Sequence, residues 1–498
     1  MGKLKVLFVY ANCMLDNLIP VSASSIISVL KREGIDVQLF DTTFYRTEER
    51  PPDIDRVENL QVLPFDYSSI GISLKEEDFL QAFRQKVIEY KPDLLMLSVV
   101  EVTYKQAVQL LESIKDIRPF TLVGGVFAIM VPQEVIDNPY IDAICISEGE
   151  DAVAEFCSKY SKGEDYTYVA GMWFKTNNGV VANPTKGLVN LDTIPFLDFS
   201  LYEKERFYKP MQGKIFRMVP IEFSRGCPYH CTYCVNHALE EIHKPSGKWF
   251  RWKSMDRIFA EIDYFVNHYK VEFFYFISES FLSMPWKKFD EFCSRYQKYK
   301  IPFWFNTMPE TIKKDKVAKL EEINCFRMGI GLEHGNYEFR KAMLNRKVTN
   351  EKMVEACRIV ENSKITYSIN NIIGFPGETR ELVFDTINLN KQIKPDSVGT
   401  FVFTPFKGTE LYDYCLKHGY INPETEVGDL NRGSVLHNNT LSPQQIKGLL
   451  RTFPLYIHFD EEYYPLIEKA EQFNEEGNSI FQRLAAQYRD EHFNERVK

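Results

Sequence analysis

The sequence has no apolar run approaching the roughly 20 residues a helix needs to cross a bilayer, although 44% of its 498 residues are hydrophobic. Its opening segment, Met1-Gly2-Lys3-Leu4-Lys5-Val6-Leu7-Phe8-Val9, is too short an apolar run for a secretion signal and is soon followed by Asn12 and Asp16. It reads as a first strand. Disulfide-framework spacing is also missing. Cys13, Cys145, Cys157, Cys293, Cys325, Cys357 and Cys415 are scattered, which fits a reducing cytoplasm. Basic excess is absent too: the formal net charge is −9, which argues against a nucleic-acid partner, since phosphate binding needs a basic face. No low-complexity tract or short repeat interrupts the composition of an ordinary globular chain. At 498 residues one core does not suffice, and two or three domains are expected.

What the chain does have is Gly226-Cys227-Pro228-Tyr229-His230-Cys231-Thr232-Tyr233-Cys234, directly after a strand-like run at 219–223. The spacing is CxxxCxxC. Thiolates are the usual ligands of iron–sulfur clusters, and a cubane holds four irons. Three sulfurs from one loop leave the fourth iron open to a small molecule. Zinc is the rival reading, because His237 follows Cys234 by three residues and His230 and His243 are near; together they allow a Cys₃His tetrahedron. Structural zinc sites usually draw on two separated pairs, however, and no second CxxC exists in the chain.

Around this loop the pattern is α/β. Residues 1–160 alternate apolar strands (6–10, 37–40, 94–99, 121–123, 143–146) with amphipathic helices (21–32, 77–90, 104–115, 151–159). That alternation predicts βαβ units and a doubly wound, Rossmann-like parallel sheet covered on both faces. Ligands of such sheets bind at the strands' carboxyl ends, here at 11–20, 98–103, Gly124-Gly125-Val126 and Glu148-Gly149-Glu150. Residues 161–215 read as a linker with one small hairpin around Asn177-Asn178-Gly179. From 216 to 430 the alternation resumes six times, with strands at 219–223, 273–277, 303–306, 327–332, 367–373 and 399–404. Helices follow at 255–268, 286–299, 315–323, 350–361, 380–392 and 410–418, with Thr349 and Thr379 at N-cap positions. Residues 431–498 form a C-terminal helical region, opened by Ser442-Pro443-Gln444-Gln445. It reads as a helical C-terminal cap over the barrel mouth, where a lid and a packing element look alike in sequence.

CxxxCxxC with the aromatic Tyr233 before the last cysteine resembles the radical S-adenosylmethionine (SAM) superfamily. The resemblance implies a partial (β/α)₆ barrel and a 4Fe-4S cluster on Cys227, Cys231 and Cys234. The open iron would chelate SAM, which an electron then splits into methionine and a 5′-deoxyadenosyl radical. Gly329-Ile330-Gly331-Leu332-Glu333-His334-Gly335 resembles the family's fourth-strand GxGxESG motif, with His334 in the serine position. Glu333 is therefore a candidate for the ribose or amino group of SAM, and Arg346 in Leu344-Asn345-Arg346 for its carboxylate. The turn from Gly374 to Gly377 resembles the motif along the adenine. Thr404-Pro405-Phe406-Lys407-Gly408-Thr409 resembles the sixth-strand PGT turn, with Lys407 in place of proline. After the second strand members often show two acids; Ser278-Glu279 keeps one, and Glu279 joins the cofactor-binding candidates.

The N-terminal part resembles the cobalamin-binding domain found before the barrel in one subgroup of that family. Pro92-Asp93, Val123-Gly124-Gly125 and Ser147-Glu148-Gly149-Glu150 carry the likeness, with Gly124 and Gly125 as cobalamin-binding candidates. Two departures matter: Phe127 stands where many members have histidine, and no Asp-x-His-x-x-Gly occurs. Cobalamin would thus bind with its own base displaced and no histidine in its place. The alternative is a domain that has lost its ligand and braces the barrel. Together the resemblances imply a cytoplasmic radical SAM enzyme acting on a small molecule, fed by flavodoxin or ferredoxin, that methylates an unactivated carbon through cobalamin. Radical ring formation or rearrangement without methyl transfer is the alternative, and a non-catalytic cobalamin- or cluster-bearing sensor a third reading. No catalytic side chain is assigned.

Overall fold

The structure is a computed structural model that describes residues 3–493 except 429, 430, 432 and 438. Its first sheet grows from β-branched and leucine-rich runs too apolar to tolerate water on either face. β1 (Lys5–Tyr10), β2 (Asp36–Asp41), β3 (Leu94–Ser98), β4 (Phe120–Gly124) and β5 (Ala143–Cys145) run parallel in the order 2-1-3-4-5. Helices Val21–Arg32, Phe79–Tyr90, Glu101–Ser113 and Gly149–Lys162 cover the faces. The chain order reverses between β1 and β3, so a crevice is expected above those strand ends.

The sheet does not stop at residue 160. β6 (Met172–Thr176) and β7 (Gly179–Ala182) form the expected hairpin, but β6 pairs antiparallel with β5 and extends the sheet to seven strands. The rest of the linker is no loose tether either. Leu197, Phe199, Tyr202 and Phe207 are buried in a core shared with Phe8 of the first sheet, Ile27 of the helix that covers it, and Val219 and Phe274 of the second sheet. Arg206, 1% exposed, pairs with Asp41 and donates to the carbonyls of Asp16 and Leu18.

The second sheet is the half-barrel. β8 (Tyr208–Met211) pairs antiparallel with β9 (Lys214–Glu222). The short β10 (Ser224–Arg225) and β11 (Arg251–Trp252) pair with each other. β9 then continues in parallel through β12 (Phe273–Ile277), β13 (Phe303–Thr307), β14 (Cys325–Glu333), β15 (Thr366–Ile373) and β16 (Ser397–Val402). These are the six parallel strands the alternation predicts. Thr349 and Thr379 both cap their helices through side-chain oxygens. A helix at Tyr337–Leu344, between β14 and helix Asn350–Glu361, is additional.

β16 leaves an open edge, which a sheet must protect. Gln61, reaching over from the N-terminal domain, donates to the Thr400 carbonyl at 2.7 Å. Helix Pro443–His458, opened by a Ser442–Gln445 capping box, buries Ile446, Leu449, Leu450 and Phe453 against Ile373, Val398 and Val402. The aromatic residues Phe459, Phe481 and Tyr488 of the C-terminal region are buried in that same cluster.

Candidate functional site

The cysteine loop leaves the barrel at the carboxyl end of β9 and is pinned from several sides. Ser224 and Ser278 share a buried hydroxyl–hydroxyl contact of 2.7 Å at its root, so the serine in place of a second acid ties β12 to the loop. Arg225, immediately before Gly226, meets Glu148 at 3.1 Å, Glu150 at 3.0 Å and Glu222 at 3.1 Å. Glu148 also pairs with Arg251 and accepts from the Val189 amide at 2.7 Å. Ser147-Glu148-Gly149-Glu150 is therefore an ionic strut from the first sheet to the base of the loop. On the far side, the Leu344-Asn345-Arg346 segment serves the loop residue by residue. Thr232 Oγ1 donates to the Met343 carbonyl at 2.6 Å, and Asn345 Nδ2 donates to the His230 carbonyl at 2.9 Å. Arg346 turns inward.

Inside, Cys231 is buried, and Cys227 and Cys234 are half-buried. Burial pushes the Cys227 and Cys234 thiols up to about 12, so free thiolates are disfavoured and a cation must compensate them. Three thiols from one loop are the donor set of a cubane whose fourth iron stays open to a small molecule.

Next to Cys231 the fourth-strand candidates converge. Arg346 Nη1 donates to Glu333 Oε1 at 3.0 Å and Nη2 to the Gly331 carbonyl at 2.7 Å. Tyr233 lies beside the same carboxylate and helps to hold its pKa down. A side chain on Gly331 would displace the Glu333 carboxylate from its place beside Arg346. Glu333 itself lies in the left-handed region at φ 69°, beside a register shift between β14 and β15. A non-glycine residue held there costs of order 1–3 kcal/mol, a strain characteristic of functional positions. Burial raises its pKa, with Arg346 opposing.

Glu279, just after β12, is exposed. Desolvation by the surrounding protein raises its carboxyl pKa, with Asn236 opposing. The fifth-strand turn is placed beside Tyr233, whose ring lies 6.4 Å from Phe375. Its amides are already engaged: Gly374 and Phe375 donate to Glu378, and Gly377 donates to Asn439 at 2.8 Å. Glu378 in turn accepts from His334 Nε2 at 3.0 Å, while His334 Nδ1 accepts from Asn336. His334 therefore locks the fourth-strand motif to the fifth. Gly374 and Gly377 contribute shape instead of donors.

Sequence reasoning missed Glu310, which follows β13. Its charge is felt at Tyr229, Cys231 and Arg346, and its Oε2 is buried without a partner. No motif flanks it. Arg225 was legible only through its place beside Gly226 and Cys227.

At the first sheet, Gly125 has φ 95°, and a side chain there would strike the Val99 backbone. Gly124 packs on Cys145. The pair thus makes a tight turn into helix Val126–Met130. Val100 and Val102, 45% and 39% exposed, offer an apolar surface at the end of β3. The barrel's sixth-strand loop comes down close by. The Lys407 amide donates to Glu101 at 2.9 Å, and its Nζ pairs with Glu134 at 2.7 Å. Proline could make neither contact.

Comparison with known proteins finds a family model on each of the two sheets. The B12 binding domain model matches residues 9–157, and the Radical SAM superfamily model matches residues 221–389. An uncharacterized methyltransferase of Pyrococcus horikoshii is 25% identical over 389 residues, spanning 77% of this chain and 82% of its own. An anaerobic magnesium-protoporphyrin IX monomethyl ester cyclase of Rubrivivax gelatinosus is 25% identical over 380 residues, 71% and 65% of the two chains. In fold, the chain is similar to the radical S-adenosylmethionine methyltransferase TsrM of Kitasatospora setae, solved with cobalamin and a 4Fe-4S cluster. The TM-score is 0.63 at 15% identity, over 85% of this chain and 77% of that one. The cobalamin-dependent S-adenosylmethionine radical enzyme OxsB gives a TM-score of 0.65 at 16% identity, over 99% and 72%. With both family models in chain order over the two sheets, the chain belongs to the radical SAM superfamily, in the group that carries an N-terminal B12-binding domain.

Proposed function

We propose that this protein is a cobalamin-dependent radical SAM methyltransferase acting on an unactivated carbon of a small molecule. In this reading residues 1–160 are the cobalamin-binding domain, 161–215 the linker whose hairpin completes its sheet, 216–430 the radical SAM domain and 431–498 the C-terminal helical region. The observation that carries the reading is the convergence of Cys231, Tyr233, Glu333 and Arg346 at one strand end, joined by an ionic strut to a B12-binding domain. The fit to the cofactors follows from this chain's own groups. Cys227, Cys231 and Cys234 offer three thiols from one loop, the donor set of a cubane with one open iron. Glu279, Glu333 and Arg346 supply polar contacts for an amino acid headgroup, and Tyr233 and the Gly374–Gly377 turn frame the adjoining wall. The exposed Val100 and Val102 suit the broad face of a corrin. When bound, the cluster and SAM supply a carbon radical, and cobalamin supplies a transferable methyl group.

The protein's part is binding and seclusion. Arg346 holds the Glu333 carboxylate and the Gly331 carbonyl and keeps its Nε unpaired for a SAM carboxylate, and Glu333 is held in a strained conformation. Glu148, Glu150 and Arg225 fix the distance between the two domains. No helix among the described residues is long and apolar enough to cross a membrane. We place the enzyme in a reducing cytoplasm, with a flavodoxin- or ferredoxin-type electron donor.

Protein purified and reconstituted anaerobically is expected to hold about one 4Fe-4S cluster. With a reductant it should release 5′-deoxyadenosine. Cys227→Ala should lose the cluster and Cys293→Ala should keep it. A methyl label on SAM should appear in cobalamin and in product. Because one relative is a cyclase, ring formation is the competing outcome: 5′-deoxyadenosine with bound cobalamin and no label transfer would establish it.

A further inference from the structure

The cysteine loop carries a second group of ligand-type side chains, on its outer side. His230 sits inside the motif, between Cys227 and Cys231, while His237 and Glu240 share one face of helix Val235–His243, three residues apart. One ligand atom from each of the three lies within 4.8 Å of the others. His230 Nε2 and Glu240 Oε2 are 2.9 Å apart, and the two imidazole rings lie 4.7 Å apart, centroid to centroid. His237 Nε2 meets Glu410 Oε1 at 2.9 Å, while its Nδ1 is buried with no partner.

We propose that His230, His237 and Glu240 form a divalent metal site, distinct from the cysteine triad, which takes zinc or a zinc-like ion. Two imidazoles and a carboxylate within bonding reach of one point are borderline-soft ligands, which select zinc over magnesium or calcium. The Glu410 carboxylate on Nε2 fixes the His237 ring and leaves Nδ1 as the nitrogen available to an ion, the carboxylate–histidine–metal arrangement that orients such ligands. The His230 carbonyl is held by Asn345, so the ring is carried on a fixed backbone. His230 is half exposed, with 53% of its side chain accessible, so the ion can enter and exchange without the cluster being disturbed. The consequence is mechanical. The ion would clamp the cysteine loop to the helix that follows it. Through Glu410 it would also reach the helix whose Leu411 amide already bonds the Thr232 carbonyl. Both contacts lie on the outer side of the loop, away from Glu333 and Arg346.

The test uses full-length protein with its cluster reconstituted, stripped on a chelating resin and titrated anaerobically with Co²⁺ as a spectroscopic probe. About one Co²⁺ should bind with d–d absorption and no thiolate-to-cobalt charge-transfer band, and Zn²⁺ should displace it. His237→Gln and Glu240→Gln should each weaken Co²⁺ binding about tenfold or more with iron content unchanged. The Cys227→Ala protein, lacking its cluster, should still bind the probe. Absence of binding overturns the proposal, as does binding that survives both substitutions. A charge-transfer band that disappears with Cys227→Ala would assign the ion to the thiols and overturn it equally.

Discussion

Arg346 shows how a single position can be read at both levels. In the sequence it is one arginine after Leu344-Asn345; in the structure it is 4% exposed and bonded to Glu333 and the Gly331 carbonyl. A guanidinium has five donors, and its Nε is buried without a partner, which leaves donor capacity for a SAM carboxylate. Arg346→Ala should therefore weaken SAM binding by about ten- to a hundredfold, the loss of about 1.5–3 kcal/mol for one charge-assisted contact. Isothermal titration of the reconstituted enzyme, with iron assayed in parallel, measures it. Arg346→Lys should recover little, because a point ammonium cannot make both bonds at once. Unchanged affinity in the alanine protein would remove Arg346 from the SAM site. Not every matching residue behaves this way. Gly374 and Gly377 match their motif as well as Glu333 does, yet their amides belong to Glu378 and Asn439. A one-letter pattern records which residue is present and not which of its hydrogen bonds are spent.

Elements were legible where one signal dominated. All eleven parallel strands coincide with apolar runs bounded by turn residues, and Thr349, Thr379 and Ser442 cap helices as their side chains predict. The docking of elements was not legible, since pairing partners leave no local mark. The β6–β7 hairpin was visible, but its attachment to β5 was not. Helix Tyr337–Leu344 is eight residues long, too short for periodicity to announce it. The sixth-strand turn is the instructive case. Lys407 looks like a lost proline; in place, its amide serves Glu101 and its ammonium serves Glu134 across the domain boundary. The two contacts differ in worth. The ion pair is partly exposed on the Glu134 side, and such pairs give about 0–1 kcal/mol. The amide bond to a carboxylate gives about 1.5–3 kcal/mol. Lys407→Pro should therefore lower the thermal midpoint more than Lys407→Ala does. Equal midpoints for the two variants in a thermal unfolding comparison would mean that the ion pair, which both lose, and not the amide bond, holds the loop.

At the scale of the whole molecule, the two sheets face each other across a shared core, with ionic contacts at both sides of the crevice. Glu148 and Glu150 hold Arg225 on one side, and Glu101 and Glu134 hold Lys407 on the other. Such buried or half-buried pairs fix geometry more than they add stability, and geometry is what two cofactors on separate domains need. The first sheet contributes no imidazole to that crevice, because the first histidine of the chain is His230. A corrin bound over β1 and β3 thus has no histidine beneath it, and Phe127 fills the place after the glycine pair, packed on Tyr104 at 4.8 Å. Apolar surroundings at the lower face disfavour a polar ligand to cobalt there. Full-length protein loaded with hydroxocobalamin should accordingly show a base-off absorption spectrum after reduction to cob(II)alamin, and its electron paramagnetic resonance signal should lack the nitrogen splitting of a coordinated base. Nitrogen splitting would mean that the cofactor's own base stays on cobalt. Failure to retain any cobalamin, with SAM still cleaved, would reduce the first sheet to a brace for the barrel.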